Sequence, residues 1–171
     1  RMYQDRMLQE MKKVHRSGKK LALLFLDLDH FKEVNDTFGH DKGDVLLAEV
    51  AKRIVGCVRD TDTVARMGGD EFTVILTEIE EPDSVERIAN SIVQTLGLPF
   101  EIGSAQAHVS ASVGIAMYPT DATDPHELLR MADLAMYEAK DSGRNAYRYF
   151  LSKTQGVAPL HPQTSNSPSP V

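Results

Sequence analysis

The chain has 171 residues, 42% hydrophobic and 26% charged, with a formal net charge of −6. That length allows one domain with a substantial core, and the acidic balance excludes a global basic field for nucleic acid or anionic lipid. The single Cys57 excludes an internal disulfide framework and suits a reducing cytosol. Cys57 lies near Val55 and Val58, which reads as a buried structural thiol rather than a nucleophile. No run approaches the ~20 apolar residues of a membrane helix, and no signal peptide opens the chain. A start on Arg1, without Met, reads as a piece of a longer protein.

Met7, Leu8, Met11 and Val14 form a helical stripe over residues 2–15, ended by Ser17-Gly18. "KLALLFLDLD" is a continuous apolar run that reads as a strand buried on both faces, its carboxylates at the exit. A short helix over 31–38 stops at Gly39, and a long one is expected over 41–59. "DTVARM" and "EFTVILTE" flank Gly68-Gly69 as a hairpin with Asp70 and Glu71 at its turn. A helix over 84–96 is expected with Asp83 or Ser84 as its cap. A strand in "AHVSASVGIAMYP", a helix opened by Asp124-Pro125 and ended at Gly143, and a closing strand "NAYRYF" complete the order. Strand pairs alternating with helices predict an α+β, ferredoxin-like sheet flanked by helices. The Pro- and Ser-rich residues 151–171 read as a linker or tail after a domain spanning 1–150.

Two groups of charges carry possible chemistry. If the central strands are neighbours, Asp27 meets Asp70 and Glu71, and three carboxylates at one point repel unless a cation joins them. Hard divalent ions prefer such oxygen ligands. The alternative is that Asp27 and Asp29 are a strand-end pair in water. In "EAKDSGRN", Lys140 and Arg144 bracket a helix end, where cations offset the helix dipole or hold phosphate oxygens.

"DLDHFKEVNDTFGHDKGD", "RMGGDEF", "SVGIAMYP" and "ADLAMYEAKDSGRN" occur in this order from about residue 21 to 150. This array strongly resembles the GGDEF family of diguanylate cyclases. The resemblance implies a palm-type fold with a central antiparallel sheet, related to nucleotidyl cyclases and polymerases. It implies the joining of two GTP into cyclic di-GMP with release of two pyrophosphates. By position it makes Asp27, the Leu28 carbonyl, Asp70 and Glu71 contacts of Mg²⁺ or Mn²⁺, with Asp70 the usual active-site position. It makes Asn35 and Asp44 the guanine readers and His40 a substrate contact. Lys32 becomes a phosphate-stabilising lysine, Lys140 and Arg144 a triphosphate clamp, and Gly68 and Gly69 a place where backbone approaches nucleotide. Arg59 and Asp62, in "RDTD", match a site where cyclic di-GMP inhibits its own synthesis; an exposed helix-end salt bridge is the alternative. Of the turn that usually opens the family, only Arg1 remains.

Such a domain supplies one GTP and half a centre, so activity is expected only in a homodimer. The expected setting is the bacterial cytoplasm, in a parent with an upstream sensory module, a downstream phosphodiesterase (EAL) domain, or a membrane anchor. The second functional reading is a silent domain that binds GTP or cyclic di-GMP and regulates a fused phosphodiesterase. A polymerase or purine-cyclase palm is the third, disfavoured by the guanine readers.

Overall fold

The computed structural model describes residues 2–150; Arg1 and the proposed tail at 151–171 lie outside them. The elements in chain order are α1 (Met2–Ser17), β1 (Lys20–Asp29), α2 (Phe31–Phe38), α3 (His40–Val55), β2 (Thr63–Gly68), β3 (Glu71–Ile79) and α4 (Pro82–Leu96). There follow β4 (Phe100–Ile102), β5 (Ala105–Ala107), β6 (Ser110–Tyr118), α5 (Pro125–Asp141) and β7 (Ala146–Tyr149). Five strands form one sheet in the order β2-β3-β1-β6-β7, and β4 pairs with β5 in a separate ribbon.

The apolar run of β1 is explained by its place at the centre of that sheet. Leu21, Leu23 and Phe25 face a core made with Met7, Met11, Val14, Leu128, Ala132 and Met136, from α1 and α5. Ala22, Leu24, Leu26 and Leu28 face the other core, shared with α2, α3 and α4. Side chains alternate across a strand, so both faces are covered and both parities must be apolar. The alternation carries on past Phe25, which sends Asp27 and Asp29 to the α5 face.

Three local expectations are corrected. The sheet is mixed rather than antiparallel: β1 runs antiparallel to β3 and β6, but β7 is parallel to β6. A parallel neighbour requires a crossover, and α5 is that crossover, so its last turn returns to the end of the sheet where β6 begins. The cap of α4 is Glu81, with no side-chain bond and Pro82 at the first position, rather than Asp83 or Ser84. Asp124 does cap α5, accepting from the Glu127 N–H at 3.1 Å. The third concerns α3, which stops at Val55, short of Arg59, because Gly56 and Cys57 turn the chain.

Gly114 lets α5 lie directly on β6. A Cβ there would stand 2.0 Å from the Ala132 carbonyl oxygen and 2.2 Å from the Met136 nitrogen. These are backbone atoms that no side-chain rotation relieves. Gly114→Ala is therefore expected to destabilise the fold by on the order of 1–3 kcal/mol through overpacking, read as a lower urea midpoint; an unchanged midpoint would show that α5 moves freely.

Candidate active site

Register brings the predicted carboxylates together. In the β1–β3 pairing Asp27 lies opposite Glu71, and the Leu28 N–H donates to the Asp70 carbonyl at 3.2 Å. The hairpin turn places Gly69 at φ +53°, a left-handed conformation that glycine adopts without steric cost. The Arg66 side chain braces it by donating to the Gly69 carbonyl at 2.9 Å. No atom lies within 4 Å of a Cβ built on Gly68 or Gly69, so the space over the turn is open.

Asp27 is held in an electrostatically unfavourable place. Burial first, then the neighbouring Asp70 charge, push its carboxyl up to about 7, although Lys140 pulls the other way. Its Oδ1 is buried and has no hydrogen-bond partner. Burial, Asp70 and Asp133 raise Glu71 as well. Among the described residues no group of three or more His, Cys, Asp or Glu side chains forms a ready-made metal cage. The set at hand is instead a buried orphan carboxylate oxygen, two adjacent carboxylates and a main-chain carbonyl. That set fits a hard divalent cation that completes its shell with water and phosphate.

Asp29, to which the sequence reading gave no role, organises the floor of the site. It is fully buried. It accepts from Lys140 Nζ at 2.9 Å, from Ser112 Oγ at 2.8 Å, from Ser110 Oγ and from the Asn145 N–H at 3.1 Å. Burial raises the Asp29 carboxyl, but the bonds from Ser110, Lys140 and Ser112 outweigh it and hold the group below its usual value. Lys140 also reaches Asp27 at 3.9 Å. The same carboxylate fixes the chain after α5, where Arg144 and Asn145 adopt positive φ of 65° and 52°, a conformation costly for residues other than glycine. No local pattern marked Asp29, because both parities of β1 are buried and its partners lie on β6, α5 and the segment before β7.

The other predicted residues surround this floor. Asn35 is half-buried in α2, and its Oδ1 is buried without a partner. Asp44 and His40 are exposed near the start of α3, and Asp44 borders a cavity of about 390 Å³ between α3 and β2. Lys32 is exposed and pairs with Asp36 at 3.2 Å. Arg144 is exposed just past α5. At the head of α2, His30 gives no side-chain cap, so no capping side chain occupies the first amides beside Asp29, where an anion is favoured. Larger cavities of about 570 and 610 Å³ lie elsewhere and include none of the predicted site residues.

Arg59 and Asp62 stand apart, at the far end of β3. The Asp62 side chain is buried and accepts from Arg59 Nη2 at 3.0 Å and from the Thr77 N–H at 3.1 Å, while Arg59 also donates to the Thr77 carbonyl. Thr77 is six residues along β3 from Glu71, on the order of 20 Å at the rise of an extended strand. The salt bridge is therefore present, and Arg59 keeps half of its side chain in solvent.

The domain is α+β, with carboxylates gathered at one end of its sheet, a basic helix end beside them and a half-buried amide nearby. The chain belongs to the GGDEF family: the family model for the diguanylate cyclase GGDEF domain matches residues 1–146. It is 48% identical over 154 residues to the bifunctional diguanylate cyclase/cyclic di-GMP phosphodiesterase MucR of Pseudomonas aeruginosa, covering 90% of this chain and 22% of that protein. It is 40% identical over 143 residues to the cyclic di-GMP phosphodiesterase NbdA of the same organism, covering 84% and 18%. The crystal structure of the GGDEF domain of P. aeruginosa TpbB (YfiN) superposes with a TM-score of 0.85 at 38% identity, covering 88% of this chain and 94% of that one. The chain thus spans about a fifth of the length of these curated relatives. Among the described residues no helix is long and apolar enough to cross a membrane.

The Asp27 pKa gives a pH signature in metal-free protein. Its folded value of about 7 lies above the unfolded value of about 4, so the folded chain holds this proton more tightly. The resulting stabilisation is full below about pH 4 and is lost as pH rises through about 7. Urea denaturation in chelator from pH 4 to 8 is expected to show stability falling across this window, and Asp27→Asn is expected to flatten the fall. An equal fall in the variant would assign it to other groups.

Proposed function

We propose that this chain is the catalytic domain of a diguanylate cyclase, in which two copies meet face to face and join two GTP into cyclic di-GMP. The observation that carries the proposal is the convergence of Asp27, with its orphan oxygen, upon Asp70 and Glu71 beside Lys140. The site fits a divalent cation, Mg²⁺ or Mn²⁺, held by Asp27, the Leu28 carbonyl, Asp70 and Glu71. Such an ion, when bound, makes a 3′-hydroxyl more acidic and offsets charge at the α-phosphate and leaving pyrophosphate.

The chain's own residues bind and orient. Asp44 accepts from the N1–H and amino group of guanine, and the Asn35 amide bonds the same base. Adenine offers Asp44 no matching donors, which selects GTP over ATP. His40 contacts the substrate beside them. Lys140 has three N–H donors and gives one to Asp29 at 2.9 Å, leaving others for phosphate oxygens. Arg144, Lys32 and the amides at the head of α2 share that charge. Gly68 and Gly69 leave the space over the hairpin clear. Each 3′-hydroxyl gives up its proton to water as its oxygen bonds to the other nucleotide's α-phosphorus. The bond from that phosphorus to the oxygen bridging to the β-phosphate breaks, and one pyrophosphate leaves each half-site.

In this reading Arg59 and Asp62 form the product-inhibition site, supported by their pairing in the segment between α3 and β2, where both bond the Thr77 backbone of β3. The domain spans 1–150 and 151–171 is a linker, in a cytoplasmic bacterial parent with an upstream sensory module and room for a downstream EAL domain. The phosphodiesterase named among the relatives supports a second reading, a silent domain that binds GTP or cyclic di-GMP and regulates a fused phosphodiesterase. Retention of every carboxylate favours catalysis.

The deciding experiment incubates the full-length dimeric protein with GTP and Mg²⁺ and assays cyclic di-GMP. Product is expected; GTP binding without product would favour the silent reading. Asp70→Ala and Glu71→Ala are each expected to abolish synthesis while the circular dichroism spectrum is kept, and undiminished product from either would remove the metal assignment. Arg59→Ala is expected to raise the cyclic di-GMP concentration needed for half-inhibition by at least about tenfold, the loss of a bidentate charged contact; an unmoved inhibition curve would reduce the pair to a salt bridge.

A further inference from the structure

Gly43 is the fourth residue of α3 and is buried. Helix formation gives no reason for it, since glycine is the poorest helix former after proline, and Gly43 is not among the glycines with positive φ. The reason lies across the gap to α2. A Cβ built on Gly43 would stand 1.8 Å from Asn35 Oδ1, 3.0 Å from Asn35 Cγ and 3.3 Å from Phe31 Cζ. The first distance is far inside any non-bonded contact.

The two helices cannot part cheaply to relieve it. The Gly39 N–H donates to the Asn35 carbonyl at 2.8 Å, and the Gly43 N–H donates to the Gly39 carbonyl at 3.0 Å. The end of α2 is thus tied to the start of α3 through one residue. With the backbones fixed and the Phe31 ring behind, a methyl group at position 43 has one outlet: it turns the Asn35 amide away. That amide also has the marks of a waiting ligand group, because its Oδ1 is buried and accepts no hydrogen bond. A buried acceptor left unpaired is costly, and a base carrying N–H donors relieves it.

We propose that Gly43 is a positioning residue for guanine recognition: by lacking a side chain it provides the space in which the Asn35 amide is held toward the base. The inference rests on the reading of this chain as a GTP-binding cyclase domain. Gly43 itself touches no substrate; it acts through Asn35, and its place directly before Asp44 sets both base-reading groups from one turn of α3.

The test is a double-mutant cycle on the full chain, titrating the α,β-methylene analogue of GTP by calorimetry in Mg²⁺ and following thermal melting. Gly43→Ala is expected to weaken binding about tenfold or more, the loss of one hydrogen bond in a buried pocket, and to lower the melting temperature. In the Asn35→Ala background the same substitution is expected to change affinity by less than about twofold and to leave the melting temperature equal or higher, since the clashing atoms are gone and alanine is the better helix former. Equal losses in both backgrounds, or no loss in either, would overturn the proposal. Should Asn35→Ala bind too weakly to titrate, the melting temperatures decide alone, a fall in both backgrounds being the overturning result. Wild-type chain that binds none of the analogue would overturn the functional reading and this inference with it, whereas wild-type binding without coupling removes only the role of Gly43.

Discussion

The buried charge of Asp29 is the constraint on which the active end of this domain depends. A carboxylate fully removed from water is tolerated only when its oxygens are satisfied and its charge is matched. Here two serine hydroxyls, a main-chain amide and Lys140 do so. The four partners come from three parts of the chain: Ser110 and Ser112 from β6, Lys140 from α5, Asn145 from the segment before β7. Neutralising one side chain thus ties β1, β6, α5 and the loop beyond it into one unit. That unit is the floor on which Asp27, Asp70 and Glu71 stand, and it holds Lys140 where both Asp29 and Asp27 are within its reach.

The relation between Asp27 and Asp29 is a contrast of environments two residues apart on one face. Asp29 has all the donors it needs and is kept ionised. Asp27 has an orphan oxygen, a carboxylate neighbour and only a distant share of Lys140. The first is a finished structural group, and the second is incomplete without something positive. One strand supplies both because its end is where the hydrophobic cores stop and the hairpin begins.

Much of this was legible in the sequence. The order of the five helices and the five main-sheet strands, the buried β1 and the Gly68-Gly69 hairpin followed from periodicity and turn chemistry, whereas the short β4–β5 ribbon was not foreseen. The register then placed Asp27 opposite Glu71. What was illegible was long-range. The parallel pairing of β7 depends on which side of β6 it joins, and no local pattern encodes that. The α4 cap went to Glu81 because Pro82 fixes the first turn, overriding the better capping residues just after it. Asp29 was hidden for a subtler reason: its partners lie over 80 positions away, so its sequence neighbours make it look like a solvated strand end. Gly43 was hidden similarly, since its need arises only where α2 meets α3.

The Arg59–Asp62 pair has a consequence for any ligand that approaches it. The guanidinium is already engaged by a buried carboxylate and by the Thr77 carbonyl, so binding there is an exchange and not an addition. A small monoanion that displaced Asp62 would strand a buried charge and gain nothing. Only a guest with several acceptors, able to use the solvent-facing half of Arg59 while Asp62 stays in place, comes out ahead. Any binding there therefore starts from an arginine that already has partners, and it must leave the buried Asp62 carboxylate satisfied.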